Sequence, residues 1–172
     1  MKKLKKFLKI LFCSFLIVFI VATLCIFLKG HSTYKQTISE LPVKETLDEI
    51  RNRKNFVEYN ELPEIFIDAV VAVEDKRFFE HSGVDIISIG RAVITNIKDR
   101  KLSEGGSTIT QQIAKNVFFS QKKEFTRKVA EVFVAFDIEN IYSKEEILEI
   151  YVNTNFYGSR LLWYIRSCFR IL

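Results

Sequence analysis

Little in this 172-residue chain can be cross-linked or used to hold a metal. Its three cysteines are Cys13 and Cys25, both in an apolar run near the N-terminus, and Cys168 near the other end. No pair lies between them, so no structural disulfide is expected, and no cysteine or histidine spacing suits a metal site. Internal repeats and low-complexity stretches are absent, as is any sustained period-two alternation that would mark strands. Positive charge is missing where a nucleic-acid binder needs it. Residues 1–29 hold six lysines and no acid, so against a whole-chain charge of +5 the remainder stands at −1. Composition therefore demands no basic patch on the folded part, and nucleic acid is not expected as a partner.

What is present begins with a membrane signal. Leu11 to Leu28 is uncharged and flanked by lysines. Those residues span about 27 Å as a helix, and adding Phe7 and Leu8 completes a hydrocarbon core. A cleavable signal peptide has a shorter apolar core and a small-residue cleavage site, which Lys29-Gly30-His31-Ser32 does not offer. Residues 1–29 thus read as a basic cytoplasmic stub plus an uncleaved anchor, with a membrane helix at about 7–28. The five lysines ahead of it keep the N-terminus in the cytoplasm and send the rest outside.

The length suits one compact domain plus such an accessory segment. Residues 30–62 are polar and mixed, and read as a juxtamembrane connector with little core of its own. From Pro63 the pattern is helical. The run Ile65 to Val73 is too continuous for a surface helix and predicts a buried one continuing to Phe79, with Gly83 as a stop. Ile86–Ile97 is a second candidate. Glu104-Gly105-Gly106 breaks the chain, and Thr108 with Gln111 makes a capping box that opens a third. Phe125–Tyr142 follows, and a second capping box, Ser143 with Glu146, opens the last helix.

Three polar clusters stand out along these helices. Glu74 falls four residues after Val70 and so emerges from the apolar side of its helix. A poorly solvated carboxylate there accepts a proton more readily, although pairing with Lys76, Arg77 or a more distant base is the plainer alternative. Ser107, Thr108, Thr110, Gln111 and Gln112 form a dense array of neutral donors, with Lys115 as the one cation. Such an array suits sugar hydroxyls and a pyrophosphate, and the glycines before it let backbone N–H groups approach an anion. A solvated polar face is the alternative. Arg127 and Glu131 are spaced as an i,i+4 salt bridge, but Glu131 lies among Val129, Val132, Phe133 and Val134, an awkward setting for a solvated acid.

Taken in order, these clusters resemble the signatures of the peptidoglycan glycosyltransferases, found as monofunctional transglycosylases and as the N-terminal domain of class A penicillin-binding proteins. The motifs are Glu-Asp-x-x-Phe-x-x-His-x-Gly at Glu74–Gly83, Gly-Gly-Ser-Thr-Ile-Thr-Gln-Gln-x-x-Lys-Asn at Gly105–Asn116 and Arg-Lys-x-x-Glu at Arg127–Glu131. A fourth appears as Lys144, Ile147, Leu148, Glu149, Tyr151 and Asn153, and is expected to build the wall of the lobe. The resemblance implies a mainly α, lysozyme-like lobe over about 63–158. It implies that Glu74 is the general base and Glu131 the second essential carboxylate. Ser107, Thr108, Gln111, Gln112, Lys115, Asn116, Arg127 and Lys128 would bind substrate, with Asp75, Phe78, His81 and Gly83 in support. The substrates implied are lipid II and a growing lipid-linked glycan strand at the bacterial inner membrane, alongside other wall-synthesis proteins. No cofactor is demanded; a divalent ion, Mg2+ or Mn2+, at Glu131 is the open alternative.

Two rivals share this pattern in part. A lysozyme-like hydrolase or lytic transglycosylase also uses carboxylates on a helical lobe, but needs no cation for a pyrophosphate. An inactive anchored fragment that binds lipid precursor or a partner is the other. It gains weight from residues 159–172, which depart from the family's Gly- and Tyr-rich continuation. One permitted coding string for Arg160–Leu172, read with its first base dropped, restores such a continuation. A one-base insertion near codon 160 is therefore expected, and with it a partial lobe of little turnover.

Overall fold

The computed structural model describes residues 2–101, 105–119 and 125–155. Glu104, Cys168 and the 159–172 tail, on which expectations were stated above, lie outside the described residues. Among the described residues there are seven α-helices and no strand, as the missing alternation implies. They are α1 (Lys2–Glu40), α2 (Val43–Arg51), α3 (Glu64–Glu74), α4 (Ile86–Asp99), α5 (Ile109–Phe118), α6 (Phe125–Ile141) and α7 (Lys144–Asn155).

The anchor does not end where the apolar run ends. Helix α1 continues unbroken to Glu40, and it is long and apolar enough to cross a membrane. Its apolar side chains from Leu4 to Leu28 are exposed, whereas its last turns pack on α6. The expectation of a connector with little core gives way over residues 43–62. Val43, Leu47 and Ile50 recur at i, i+4 and i+7, so α2 has one apolar face, and Val57 and Leu62 join it in the main core. Polar residues of α7 fasten this segment. Glu149 accepts from Tyr59 N at 2.9 Å, and Asn153 both accepts from Val57 N at 3.0 Å and donates to Val57 O at 2.9 Å. Arg51 pairs with Glu146 and Glu149, and Tyr142 Oη donates to Asp48. Burial, with that hydrogen bond next, pushes the Tyr142 phenol well above its usual range. Glu149 and Asn153 of the fourth sequence motif are thus fasteners.

The centre of the lobe is built where α5 meets α6 and α7. Ile109, Ile113, Ile138, Ile147, Leu148 and Ile150 are fully buried there, as is Phe78. Each such side chain contributes about 1.5–3 kcal/mol by leaving water. Both predicted capping boxes form. Thr108 Oγ1 accepts from Gln111 N while Gln111 Oε1 accepts from Thr108 N, and Ser143 and Glu146 exchange the same pair of bonds. Gly83 turns the chain at φ +90°, a conformation that side-chain-bearing residues rarely adopt, with Ala135 O against it.

Helix α3 departs from its expected form in two ways. It stops at Glu74, and Phe78–Glu80 is a separate 3-10 turn. Only Ile67 and Val70 of its apolar run are buried, while Ile65 and Val73 are each 80% exposed. A continuous apolar run is therefore a surface helix with one buried edge. Helix α4 likewise buries only Ala92.

Candidate active site

Asp75 organises the cleft. It follows the last residue of α3, is buried, and its carboxylate takes two kinds of donor. His81 Nε2 lies 3.0 Å from Oδ2, and Ile109 N, at the start of α5, donates to the same oxygen at 3.1 Å. The N-terminus of α5 was expected to approach a substrate anion. Instead, Asp75 supplies the anion from within the protein, where the helix dipole and an open N–H stabilise it. Thr108 Oγ1 donates to Gly83 O at 2.7 Å, tying the same helix start to the first motif. Asp75, His81, Gly83 and Thr108 are thus one framework, with Phe78 beneath it, capped by the Lys144 ammonium 4.4 Å from its ring centre.

That framework sets Glu74 at the lip of a cleft of about 360 Å3 lined by Glu74, Lys76, Ser88, Arg91, Ser107 and Thr108, among others. Glu74 is exposed, so the expected poorly solvated carboxylate is not found. The reason is that α3 ends at this residue, leaving the side chain beyond the packed edge formed by Ile67 and Val70. Nor does it take the Lys76 or Arg77 pairing considered above as its contact: its Oε2 accepts from Gln112 Nε2 at 2.9 Å, and Gln112 Oε1 accepts from Tyr151 Oη at 3.3 Å.

The second acid has the opposite environment. Glu131 is 1% exposed on α6, and both its oxygens face cations. Arg127 binds Oε1, and Lys128 Nζ stands 3.1 Å from Oε2. Lys128 Nζ also donates to Ser107 Oγ at 2.8 Å, which links this cluster to the cleft wall. The i,i+4 pair is therefore no surface bridge. A divalent ion does not fit here, because the one carboxylate is already occupied by two cations. Among the described residues no group of three potential metal-ligating side chains comes together. What the cluster suits is an anion, met by Lys128, nearly half exposed, and backed by a fixed countercharge.

The remaining residues of the second motif divide. Gln111 is buried and spends its side chain in the capping box, and Thr110 is buried and donates to Glu139 at 2.6 Å. The polar array is thus partly internal wiring, which the helix-face reading missed. Lys115 is half-buried, and Asn116 lines a different groove with Ile50, Arg53 and Asn153. Ser88 and Arg91 on the cleft wall were not singled out by sequence. Their signal is Asp85 followed by Ser88, a cap that fixes the start of α4. Asp85 accepts from Ile87 N, Ser88 N and Ser88 Oγ, and Arg77 Nε lies 3.6 Å away. Burial alone would push the Asp85 carboxyl up, but these bonds and the Arg77 charge together hold it below its ordinary value.

A protein-family model described as Transglycosylase matches residues 41–167, taking in the 43–62 segment that the core also claims. The chain is 41% identical over 132 residues to penicillin-binding protein 1A/1B of Bacillus subtilis (strain 168), covering 77% of this chain. It is 50% identical over 102 residues, or 59% of its length, to penicillin-binding protein 1F of the same organism. To penicillin-binding protein 1A of Neisseria lactamica it is 46% identical over 108 residues, 63% of its length. In each case the match spans 14% of the relative.

Proposed function

As the chain belongs to the transglycosylase family, whose model matches most of its length, we propose that it polymerises lipid-linked disaccharide into peptidoglycan glycan strands. The observation that carries this reading is a pair of unlike acids, Glu74 on the cleft and Glu131 joined to the cleft wall through Lys128 and Ser107. Glu74 is exposed, aimed by Gln112, and available to take a proton; Glu131 is buried and holds cations.

In this mechanism Glu74 removes the proton from the 4-hydroxyl of an acceptor lipid II. The freed oxygen attacks C1 of the donor sugar, the bond from C1 to the pyrophosphate oxygen breaks, and configuration inverts. Undecaprenyl pyrophosphate departs. Lys128 and Arg127, with Lys115, meet the negative charge that grows on the leaving oxygens, and Ser107 shares its hydroxyl between Lys128 and the cleft. No step is routed through a metal. The N-terminus lies in the cytoplasm and the lobe outside the bacterial membrane, where both lipid substrates share one leaflet with α1.

Reconstitution in vesicles with lipid II tests the reading. Polymer should form, finished glycan should not be cut, and Glu74→Gln should lower turnover by about 10²–10⁴-fold with the fold intact. A loss under tenfold removes Glu74 from the role of base. Cleavage of finished glycan would replace synthesis with a lytic reaction. The measurement belongs in a chain whose residues after Ser159 follow the shifted reading.

A further inference from the structure

The face of α1 that meets α6 is built from Phe27, Gly30, His31 and Tyr34, spaced to lie on one side of a helix. Phe133 of α6 is the hub. Its ring centre lies 5.8 Å from that of Phe27, 5.1 Å from His31 and 5.2 Å from Tyr34, and Tyr34 Oη donates to Asp137 at 2.7 Å. At Gly30 the helices touch more closely than any side chain allows. A Cβ there would fall 2.5 Å from Val129 Cβ, 2.7 Å from Val129 Cγ1 and 2.8 Å from Thr126 O. The closest approach is thus between Gly30 and the Thr126–Val129 turn of α6, with Phe133 and Asp137 meeting the side chains around it.

That pairing fixes a height. The apolar run ends at Leu28, and Gly30 is two residues, or about 3 Å, further along the axis. Arg127 and Lys128 lie between Thr126 and Val129, and Glu131 half a turn beyond. All three stand within about one helical turn of the hydrocarbon boundary, inside a headgroup layer roughly 5–7 Å deep.

We propose that α1 is a splint as well as a tether: through Gly30 it seats α6 so that Arg127, Lys128 and Glu131 meet a lipid pyrophosphate at the membrane surface. Gly30 is then a positioning residue, acting only through α6. This rests on the reaction proposed above and adds to it the element that sets the depth of the pyrophosphate site.

Binding of undecaprenyl pyrophosphate to the full chain in phospholipid nanodiscs tests it. Alanine is the better helix former, so a role in α1 alone would leave Gly30→Ala neutral or stabilised. The splint instead requires that Gly30→Ala weaken binding by about tenfold or more, as a small misplacement does. Ser32→Ala, on an exposed position of α1, should bind as the parent does. Adding Val129→Gly, which removes two of the three clashing atoms, should restore part of the loss. Should Gly30→Ala fail to fold by circular dichroism, Phe133→Ala decides, since it loosens the same seat without a clash and must weaken binding too. Parent-like affinity in the folded variants overturns the splint alone. A parent chain that does not bind undecaprenyl pyrophosphate overturns the splint and the proposed reaction together.

Discussion

Gln112 Nε2 donates to Glu74 Oε2 at 2.9 Å, and its other amide atom, Oε1, accepts from Tyr151 Oη at 3.3 Å. The candidate base is therefore held from α5, with α7 behind it, although it belongs to α3. An exposed carboxylate without such a donor would sample several rotamers, and few of them would face an acceptor hydroxyl.

Gln112→Ala should accordingly lower kcat by between about tenfold and 10²-fold with little change in KM, because aim is lost and the base itself remains. Tyr151→Phe should reproduce a smaller part of that loss. An unchanged kcat in Gln112→Ala would show that the hydrogen bond has no part in aiming Glu74.

A second prediction concerns the framework under the cleft. Asp75→Ala leaves Ile109 N and His81 Nε2 without their acceptor in a buried setting, at about 1–3 kcal/mol for each orphaned group. His81→Ala removes only one of these contacts. Thermal melts of the two single variants and the double should give a coupling of about 0.5–3 kcal/mol. Additive losses would mean that Asp75 and His81 act separately.

How much of this was legible in the sequence follows the range of the interaction. Both capping boxes are four-residue signals and formed as read, and the apolar neighbours of Glu131 announced its burial. Helix α2 also carried its signal, since Val43, Leu47 and Ile50 mark one face, but the polar residues between them obscured it. Glu74 was misjudged because periodicity gives a direction around the helix and says nothing of where the helix stops. The burial of Gln111 was not legible locally, because it follows from the packing of α5 against α6 and α7, which the capping pattern does not encode. The Asp75 contact with Ile109 spans 34 residues, and no local pattern could supply it.

Acid stability offers a third test. Asp85 is held below its ordinary value when folded, so its contribution is present above the unfolded pKa of about 3.9. That contribution is lost as pH falls through the folded value. Asparagine still caps a helix but does not titrate. The stability gap between the parent and Asp85→Asn should therefore be constant at neutral pH and close progressively below about pH 4. Asp85→Ala, which loses the cap as well, should cost a further 1 kcal/mol or so at every pH. A gap that widens on acidification would reverse the sign of the argument and remove Asp85 as a stabilising charge.

The buried acid gives the sharpest contrast between charge and position. Glu131→Gln raises the net charge of the Arg127–Lys128–Glu131 cluster by one, and Coulomb attraction alone predicts tighter binding of undecaprenyl pyrophosphate. The geometry predicts the reverse. Glu131 holds Arg127 and Lys128 in place from a site that is almost fully buried, and hydrogen bonds to charged groups contribute about 1.5–3 kcal/mol. Without that countercharge the two cations regain their rotamers and turn toward water, and Lys128 loses its alignment with Ser107. Glu131→Gln should therefore weaken binding even at low salt, where attraction is strongest, and Lys128→Ala should weaken it through direct loss of a cation. Only the second effect should fade as salt is raised, since screening acts on charge and not on alignment. Tighter binding by Glu131→Gln would reduce Glu131 to a passive countercharge and leave the cluster without a positioning acid.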